Sequence, residues 1–375
     1  MSRALLFSVL VLVFKLGMPA APPPPSMAGK SWLVADVTSG QILATEKADE
    51  RIEPASLSKI MTAYVVFSAL RDKKLAPDQQ ITVSERAWRA PGSRMFIRVG
   101  RTVSVDELIR GMVVQSGNDA CIALAEAIAG SEEVFVQMMN REAARLGMKN
   151  TNFRNSSGLP DAQHYSTAND LYLVAAALIR DFPQQYAQYY SLKEFRYNNI
   201  NQPNRNRLLW LDPSIDGVKT GHTDAAGYCL IASSQRNGRR LLSVLLGSTS
   251  ESTRAQESLK LLNWGYQFFD SVKLFQAGEA VKTLDVWKGS EKEVKAGFKG
   301  DLMLAVPKGE AEKLKAELVS QQPLVAPVAQ GQRVGTLRVT LDAKQLGDYP
   351  LLALEAVPAA GFLGRTWDTL RLWLK

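Results

Sequence analysis

Residues that commonly bind metal ions are scarce in this sequence of 375 residues, which has two cysteines and two histidines. Cys121 and Cys229 stand far apart in apolar surroundings, and both histidines are isolated, so the paired ligand spacings of zinc sites are missing. A disulfide requires that the two cysteines fold to within bonding distance, which their spacing does not establish. We therefore expect two buried thiols, no metal ion and no cofactor.

Long apolar runs and dense basic clusters are also rare. Beyond the amino terminus no segment reaches the ~18 uninterrupted apolar residues of a membrane-spanning helix. The net charge is +8, but the basic clusters and aromatic-studded motifs that bind nucleic acid are missing. We expect no second membrane span and no nucleic-acid partner, and the basic excess favours anionic surfaces such as cell wall or membrane.

The amino terminus has the layout of a secretory signal. Arg3 precedes an apolar run over 4–14, and small residues follow at 19–21. The run is too short to span a bilayer comfortably, and the prolines at 22–25 prevent a helix from continuing. We expect residues 1–21 to be a signal peptide and the rest of the chain to be exported.

Hydrophobic patterning predicts a hairpin first and then a series of helices. The hairpin is expected over 31–46, where residues alternate around a Ser-Gly turn. A buried helix is expected over 56–71, because that segment is apolar on nearly every face. Residues 104–147 indicate a helical region, with Ser104 and Glu107 spaced as a capping box.

Strands are concentrated in the middle of the chain. After a helix over 168–180, strands are expected at 217–222, 227–234 and 240–248, and a helix follows over 250–270. This order predicts an α/β (α+β) fold in which an antiparallel sheet is flanked by helices.

The carboxy-terminal third differs from the rest of the chain in its sequence pattern. Short strand-like runs separated by Gly, Pro and Lys predict a small, mostly β domain over 279–360, with one short helix near 310–318. Residues 361–375 place leucines and tryptophans on one helical face and basic residues largely elsewhere, the pattern of a helix lying in a membrane interface. The alternative is a terminal helix docked on the body of the protein.

The segment Pro-Ala-Ser-Leu-Ser-Lys, 54–59, contains two hydroxyls and one amine at the start of the buried helix. Residues three apart share a helix face, so Ser56 and Lys59 are neighbours while Ser58 points elsewhere. A serine hydroxyl becomes a nucleophile when a base removes its proton, and a lysine whose pKa is lowered by burial can act as that base. About one or two S-x-x-K matches are expected by chance in a chain of this length. The alternative is that Ser56 only caps the helix.

Two further short segments carry polar groups that can face a substrate. Ser-Gly-Asn at 116–118 lies between two predicted helices and can face a site, although a capping loop is the alternative. Lys-Thr-Gly at 219–221 lies on a predicted strand, where glycine allows a substrate backbone to approach and pair. Lysine and threonine there offer a positive charge and a hydroxyl to a carboxylate; a charged hairpin turn is the alternative.

The ordered trio S-x-x-K, S-G-N and K-T-G resembles the catalytic set of the penicillin-recognising serine enzymes. The flanks EPASLSKIMTAYVV, QSGNDACIALAEAIAG, NRNRLLW, DGVKTGHTDAAGYCL and LLNWGYQFF resemble the penicillin-binding protein 5 group of D-alanyl-D-alanine carboxypeptidases. The resemblance runs from about residue 31 to the carboxy terminus. It implies a β-lactamase/DD-peptidase-like fold with a helical subdomain over 28–278, followed by the domain at 279–360.

The resemblance also implies roles for individual residues. Ser56 would be the acylated nucleophile, Lys59 its base, and Ser116 the relay that carries a proton to the leaving amine. The other positions that match the family would bind substrate: Asn118, Lys219, Thr220, Gly221, His222, Arg254 and Arg205.

The implied activity is a serine-type D-Ala-D-Ala carboxypeptidase that acts on peptidoglycan stem pentapeptides and is inhibited covalently by β-lactams. The implied location is the periplasmic face of the inner membrane, with peripheral attachment through 361–375. The oligomeric state is not indicated.

Other activities remain open at this point. A Ser-His-Asp hydrolase would need an exposed nucleophile elbow, but G-x-S-x-G is missing, and the sequence spacing ties neither His164 nor His222 to a candidate serine. His164 is expected to be an ordinary loop residue. A β-lactamase would need an added acid between the second and third motifs, and no E-x-x-L-N pattern occurs there. DD-endopeptidase activity, weak β-lactamase activity and a non-catalytic wall-binding role are the remaining alternatives.

Overall fold

The computed structural model describes residues 21–320 and 323–361. The predicted signal peptide and carboxy-terminal amphipathic helix lie outside these residues, apart from their boundary positions 21 and 361. The helices are α1 (Lys59–Arg71), α2 (Glu85–Trp88), α3 (Val105–Arg110), α4 (Asn118–Ala129), α5 (Glu132–Arg145), α6 (Ala168–Asp181), α7 (Pro183–Tyr189), α8 (Leu208–Leu211) and α9 (Glu251–Phe268). The strands are β1 (Ser31–Asp36), β2 (Gln41–Glu46), β3 (Gln80–Thr82), β4 (Thr102–Ser104), β5 (Glu194–Tyr197), β6 (Ile200–Pro203), β7 (Ile215–Thr223), β8 (Gly227–Arg236), β9 (Arg239–Ser248), β10 (Phe269–Phe275), β11 (Ala280–Trp287), β12 (Glu293–Gly297), β13 (Leu302–Pro307), β14 (Leu314–Ser320), β15 (Leu324–Val325), β16 (Arg333–Leu341) and β17 (Lys344–Ala353).

The chain divides into two compact units. The larger unit comprises Pro24–Lys282 and Gly297–Ala305. The smaller unit includes Thr283–Ala296 and the described part of Val306–Lys375.

An antiparallel five-stranded sheet forms the larger unit's centre, in the order β2-β1-β9-β8-β7. All six residues of β1 are buried, because both faces of the sheet are covered. Leu33 belongs to the core shared with α1 and α6, whereas Trp32 packs in a cluster with Trp264 of α9. This confirms the predicted fold class of an antiparallel sheet flanked by helices.

The predicted buried helix over 56–71 is confirmed as a 3₁₀ turn at Ala55–Ser58 that continues into α1. Ile60, Tyr64 and Phe67 of α1 are each at most 1% exposed, because the helix runs through the middle of the core. The remaining strands and helices predicted for this unit are also present, with ends shifted by a few residues. Ser104 and Glu107 form the predicted capping box at the start of α3.

The smaller unit contains most of a six-stranded sheet in the order β14-β16-β17-β12-β11-β15. The short helix predicted near 310–318 is wrong: a 3₁₀ turn at Ala311–Lys313 leads into β14. The sequence LKAELVS alternates apolar and polar residues, and its antiparallel pairing with β16 supplies the backbone hydrogen bonds that a short helix would have made internally.

Cys121 and Cys229 are both buried free thiols, as expected. Burial raises the pKa of Cys121 to about 12 and that of Cys229 to about 11, so both are protonated at neutral pH. No helix within 21–320 and 323–361 combines the length and apolarity needed to cross a membrane.

Candidate active site

The first cluster lies where the 3₁₀ turn meets α1. Residues three apart eclipse in a 3₁₀ turn, so Ser56 and Lys59 stack more closely than in an ordinary helix. The Lys59 Nζ lies 3.1 Å from the Ser56 Oγ. Ser56 is half-buried and reaches the cavity described below, whereas Ser58 is fully buried. Local geometry therefore selects Ser56 as the hydroxyl that a substrate can reach.

The amine of Lys59 is buried among oxygen atoms. It donates to the Asn118 Oδ1 at 2.7 Å and to the Ser157 carbonyl oxygen at 2.5 Å, in addition to its contact with Ser56. The pKa of Lys59 is lowered to about 8, mainly by burial and also by the positive charge of Arg205, whereas Asp119 acts in the opposite direction. A minor fraction of this amine is therefore neutral near physiological pH, far more than for a lysine with its ordinary pKa.

The Ser-Gly-Asn cluster forms a tight turn between a π-helical segment, Gly111–Gln115, and α4. Ser116 adopts a left-handed conformation with φ 65°, which is unusual for a residue other than glycine. Its Oγ is buried and has no hydrogen-bond partner among the described residues. A strained serine with a free hydroxyl at a cavity wall is available to a bound substrate.

The Lys-Thr-Gly cluster lies on β7, the edge strand of the five-stranded sheet. A Cβ at Gly221 would lie 3.1 Å from the Pro54 carbonyl oxygen, so glycine lets the strand approach the turn that carries Ser56. Lys219 is buried and donates to the Thr220 carbonyl oxygen at 3.0 Å. Burial lowers its pKa well below the usual range, and Lys59 lowers it further.

Arg254 of α9 is buried behind the edge strand. Its guanidinium donates to the Gly221 carbonyl oxygen at 3.4 Å and pairs with the Glu251 carboxylate at 3.2 Å. It also lies over the ring of Tyr228, which in turn packs against His222 with ring centroids 4.1 Å apart. Burial lowers the pKa of Arg254, although Glu251 partly offsets that effect.

These clusters surround one cavity of about 590 Å³. Lys59 and Lys219 are buried at its base, each in contact with a residue that lines it. The structure thus brings together all of the residues singled out in the sequence. Those that line the cavity directly are Ser56, Ser116, Asn118, Arg205, Thr220, Gly221, His222 and Arg254.

Asp119 supports this site and was not singled out from the sequence. Its carboxylate accepts backbone hydrogen bonds from Met95, Phe96 and Ile97 at 2.9, 2.9 and 3.3 Å, which fixes a loop at the cavity wall. Burial raises its pKa, while those backbone donors act to lower it. An aspartate in the first turn of a helix is an ordinary pattern, so only the fold reveals the loop that it holds.

His164 is not an ordinary loop residue. Its Nε2 lies 2.8 Å from the Ser58 Oγ, and its ring packs edge-on against Phe153. Burial lowers the pKa of His164 to about 4, so the ring is neutral at physiological pH. Ser58 and His164 are at most 2% exposed, so this serine–histidine pair stabilises the core and does not reach a substrate.

Comparison with protein families identifies two matching segments. The D-alanyl-D-alanine carboxypeptidase family matches residues 18–250. The carboxy-terminal domain of penicillin-binding protein 5 matches residues 269–359.

Individual relatives match over most of the chain. D-alanyl-D-alanine carboxypeptidase DacC of Escherichia coli is 44% identical over 352 residues, covering 92% of this chain and 88% of the relative. The crystal structure of penicillin-binding protein 5 from Haemophilus influenzae superposes with a TM-score of 0.84 at 40% identity, covering 89% of this chain and 99% of that one. The ampicillin-bound form of penicillin-binding protein D2 from Listeria monocytogenes has a TM-score of 0.60 at 31% identity, over 65% of this chain and 100% of its own. This chain therefore belongs to the D-alanyl-D-alanine carboxypeptidase family of serine-type peptidases, with a carboxy-terminal domain of the penicillin-binding protein 5 type.

Proposed function

We propose that this protein removes the terminal D-alanine from peptidoglycan stem pentapeptides through an acyl-enzyme on Ser56. The observation that carries the proposal is the buried amine of Lys59, 3.1 Å from the Ser56 hydroxyl. Two of the three oxygen partners of this amine are carbonyl oxygens, of Asn118 and Ser157, which can only accept hydrogen bonds. A neutral amine that donates to both of them directs its lone pair at the Ser56 hydroxyl.

In this mechanism Ser56 attacks the carbonyl carbon between the two D-alanines, and its proton moves to Lys59. The resulting ammonium is stabilised by the same three oxygens that surround Nζ. Ser116, whose hydroxyl has no partner within the described part of the chain, then relays a proton to the nitrogen of the leaving D-alanine. Water hydrolyses the ester and frees Ser56.

The remaining site residues hold the substrate. Thr220 and Arg254, with Lys219 and Arg205 as further positive charges, bind the terminal carboxylate. Asn118 holds the amide that precedes the scissile bond. The free edge of β7, which includes Gly221 and His222, pairs with the substrate backbone. The backbone N–H groups of Ser56 and of the residue after Gly221 serve as the oxyanion hole.

β-Lactams acylate the same serine in this proposal, since they present a strained amide to the same groups, and the Listeria relative is described with ampicillin bound. Rapid hydrolysis of the antibiotic is not expected. Among the described residues that line the cavity, those between 151 and 215 contribute no carboxylate. Asp170, Asp181 and Asp212 from that segment instead accept hydrogen bonds from Thr151, Tyr64 and Ser214, away from the cavity.

D-alanine release tests the reaction and the substrate together. The purified protein, incubated with L-Ala-γ-D-Glu-L-Lys-D-Ala-D-Ala, is expected to yield one D-alanine per peptide, measured with a coupled amino-acid oxidase assay. Ser56→Ala should abolish release. Intact pentapeptide after long incubation with protein that still reacts with penicillin would contradict the carboxypeptidase assignment.

Labelling with a fluorescent penicillin tests which serine is acylated. Ser56→Ala is expected to abolish the covalent label, because among the described residues only the Ser56 hydroxyl lies within hydrogen-bond distance of the Lys59 amine. Ser58→Ala, the matched control, should keep it, because the Ser58 Oγ bonds to His164 and to the Ala55 carbonyl oxygen. Equal labelling of the wild type and Ser56→Ala would refute the assignment of Ser56.

The pH dependence of acylation tests Lys59 as the base. The base must be neutral to accept a proton, and its pKa is lowered to about 8. The second-order rate constant for acylation by penicillin should therefore rise about tenfold per pH unit below pH 8 and level off above it, an overall increase of about 50-fold from pH 6 to pH 8. Stopped-flow measurement of the acylation step alone gives this profile, and a flat profile over that range would rule out Lys59 as the titrating base.

We further propose that the signal at 1–21 exports the protein, that 28–278 is the catalytic domain, that 279–360 is a separate domain and that 361–375 attaches the protein to the membrane surface. The two family matches support the two-domain division. The spacing of leucine and tryptophan at 361–375 supports attachment.

Deleting residues 361–375 should move the protein from the membrane to the soluble fraction while penicillin labelling and D-alanine release persist. The physical reason is that the apolar face of this segment supplies the affinity for the membrane, whereas the cavity residues lie elsewhere. Fractionation of cells that express the full or the shortened chain measures how the protein divides between the membrane and soluble fractions. Unchanged membrane association would favour the docked-helix alternative.

A further inference from the structure

A second cavity, of about 290 Å³, adjoins the active-site cavity. Arg94 and Phe96 line both cavities, so the two surfaces are continuous. The remaining wall comes from the end of α2 and from the hairpin of β5 and β6. The residues that line this second cavity include Trp88, Arg94, Phe96, Arg98, Asn198 and Ile200.

The wall of this second cavity combines exposed apolar groups with positive charge. Trp88, Phe96 and Ile200 are 41%, 43% and 40% exposed. Large apolar side chains gathered in this way around a concave surface mark a binding site more often than isolated ones do. Arg94 and Arg98 are exposed, and neither forms an ion pair with any residue in the described ranges. The surface therefore suits a ligand with an aliphatic body and a carboxylate.

The loop that forms the shared wall is held firmly. Phe96 has φ 69°, a left-handed conformation that costs energy for a bulky residue and persists only where the surroundings enforce it. The carboxylate of Asp119 accepts the Phe96 N–H at 2.9 Å, and the Asn198 Nδ2 donates to the Phe96 carbonyl oxygen at 3.0 Å. The phenyl ring is thus presented at the junction of the two cavities by groups on both sides of it.

The direction of the substrate follows from the proposed function, on which this inference rests. Thr220 and Arg254, on β7 and α9, take the terminal carboxylate. Asn118 holds the amide before the scissile bond, and the adjacent Asp119 anchors the loop of Phe96. The part of the peptide that precedes D-Ala-D-Ala therefore leaves the active-site cavity past Phe96.

We propose that the second cavity is an extended subsite for the acidic residue and the aliphatic side chain that precede D-Ala-D-Ala in a stem peptide. Arg94 and Arg98 bind the free carboxylate of the γ-linked D-glutamate. Trp88, Phe96 and Ile200 pack against the aliphatic chain of the diamino acid. The subsite selects long stem peptides over short analogues that share the same reactive end.

Two substrates that differ only in this region test the subsite. L-Ala-γ-D-Glu-L-Lys-D-Ala-D-Ala carries the acidic residue and the diamino acid, and N-acetyl-L-Ala-D-Ala-D-Ala lacks both. The double variant Trp88→Ala/Arg98→Ala is expected to lower kcat/KM for the long peptide about tenfold, and to leave the short peptide and penicillin acylation within about twofold of wild type. Arg89→Ala is the matched control, because Arg89 is an exposed neighbour on the same segment that pairs with Glu85 outside both cavities. This control should change neither kcat/KM for the two peptides nor penicillin acylation.

A third peptide, with D-isoglutamine in place of γ-D-glutamate, isolates the carboxylate. Arg98→Ala should weaken turnover of the acidic peptide and leave the amidated peptide unchanged. An equal fall on the long and short peptides, or no fall on either, would overturn the subsite.

A binding measurement makes the test of the subsite independent of turnover. Calorimetry of the long peptide with the Ser56→Ala protein measures affinity even if the wild type releases no D-alanine, a result that would refute the proposed function and not the subsite. A second substitution in that protein, Arg98→Ala, should then raise Kd for the acidic peptide about tenfold. An unchanged Kd would overturn the proposal.

Discussion

The burial of a single amine, that of Lys59, is the constraint on which the rest of the site depends. Removing an amine from water is costly unless oxygen atoms replace the lost water, and three segments supply them. Ser56 comes from the turn before α1, Asn118 from the start of α4, and the Ser157 carbonyl oxygen from the loop after α5. The same desolvation lowers the pKa of the amine to about 8, so the packing that forms the site also makes the amine a base.

Close backbone approaches keep these segments together. A side chain at Gly158, which has φ 82°, would collide with the Ala55 carbonyl oxygen, so the loop that carries Ser157 reaches the turn of Ser56 only because this position is glycine. His164 adds a second tie, since it bonds to the Ser58 Oγ from the same loop. On the opposite wall, Asp119 holds the loop of Phe96 through backbone N–H groups. The cavity is therefore preorganised by groups that do not themselves contact substrate in the proposed mechanism.

Much of this architecture could be predicted from local patterns. The apolar residues of α1 and the capping box at Ser104 act over a few positions, so sequence spacing is enough to locate them. The helix expected near 310–318 was wrong because β14 is stabilised by pairing with β16, a partner distant in sequence. The partners of His164 and Asp119 could not be predicted either, since each depends on which loop the fold places opposite it.

The sequence by itself determined which hydroxyl can meet the lysine, because the spacing of three between Ser56 and Lys59 operates within one helical turn. It also indicated the family, through three short motifs in a set order. Only the tertiary structure decided how far the Lys59 pKa falls, because that depends on burial and on oxygens brought from 59 and 98 positions away. It also decided that the cavity continues past Phe96 towards Trp88 and Ile200, since that surface exists only where three separate segments meet.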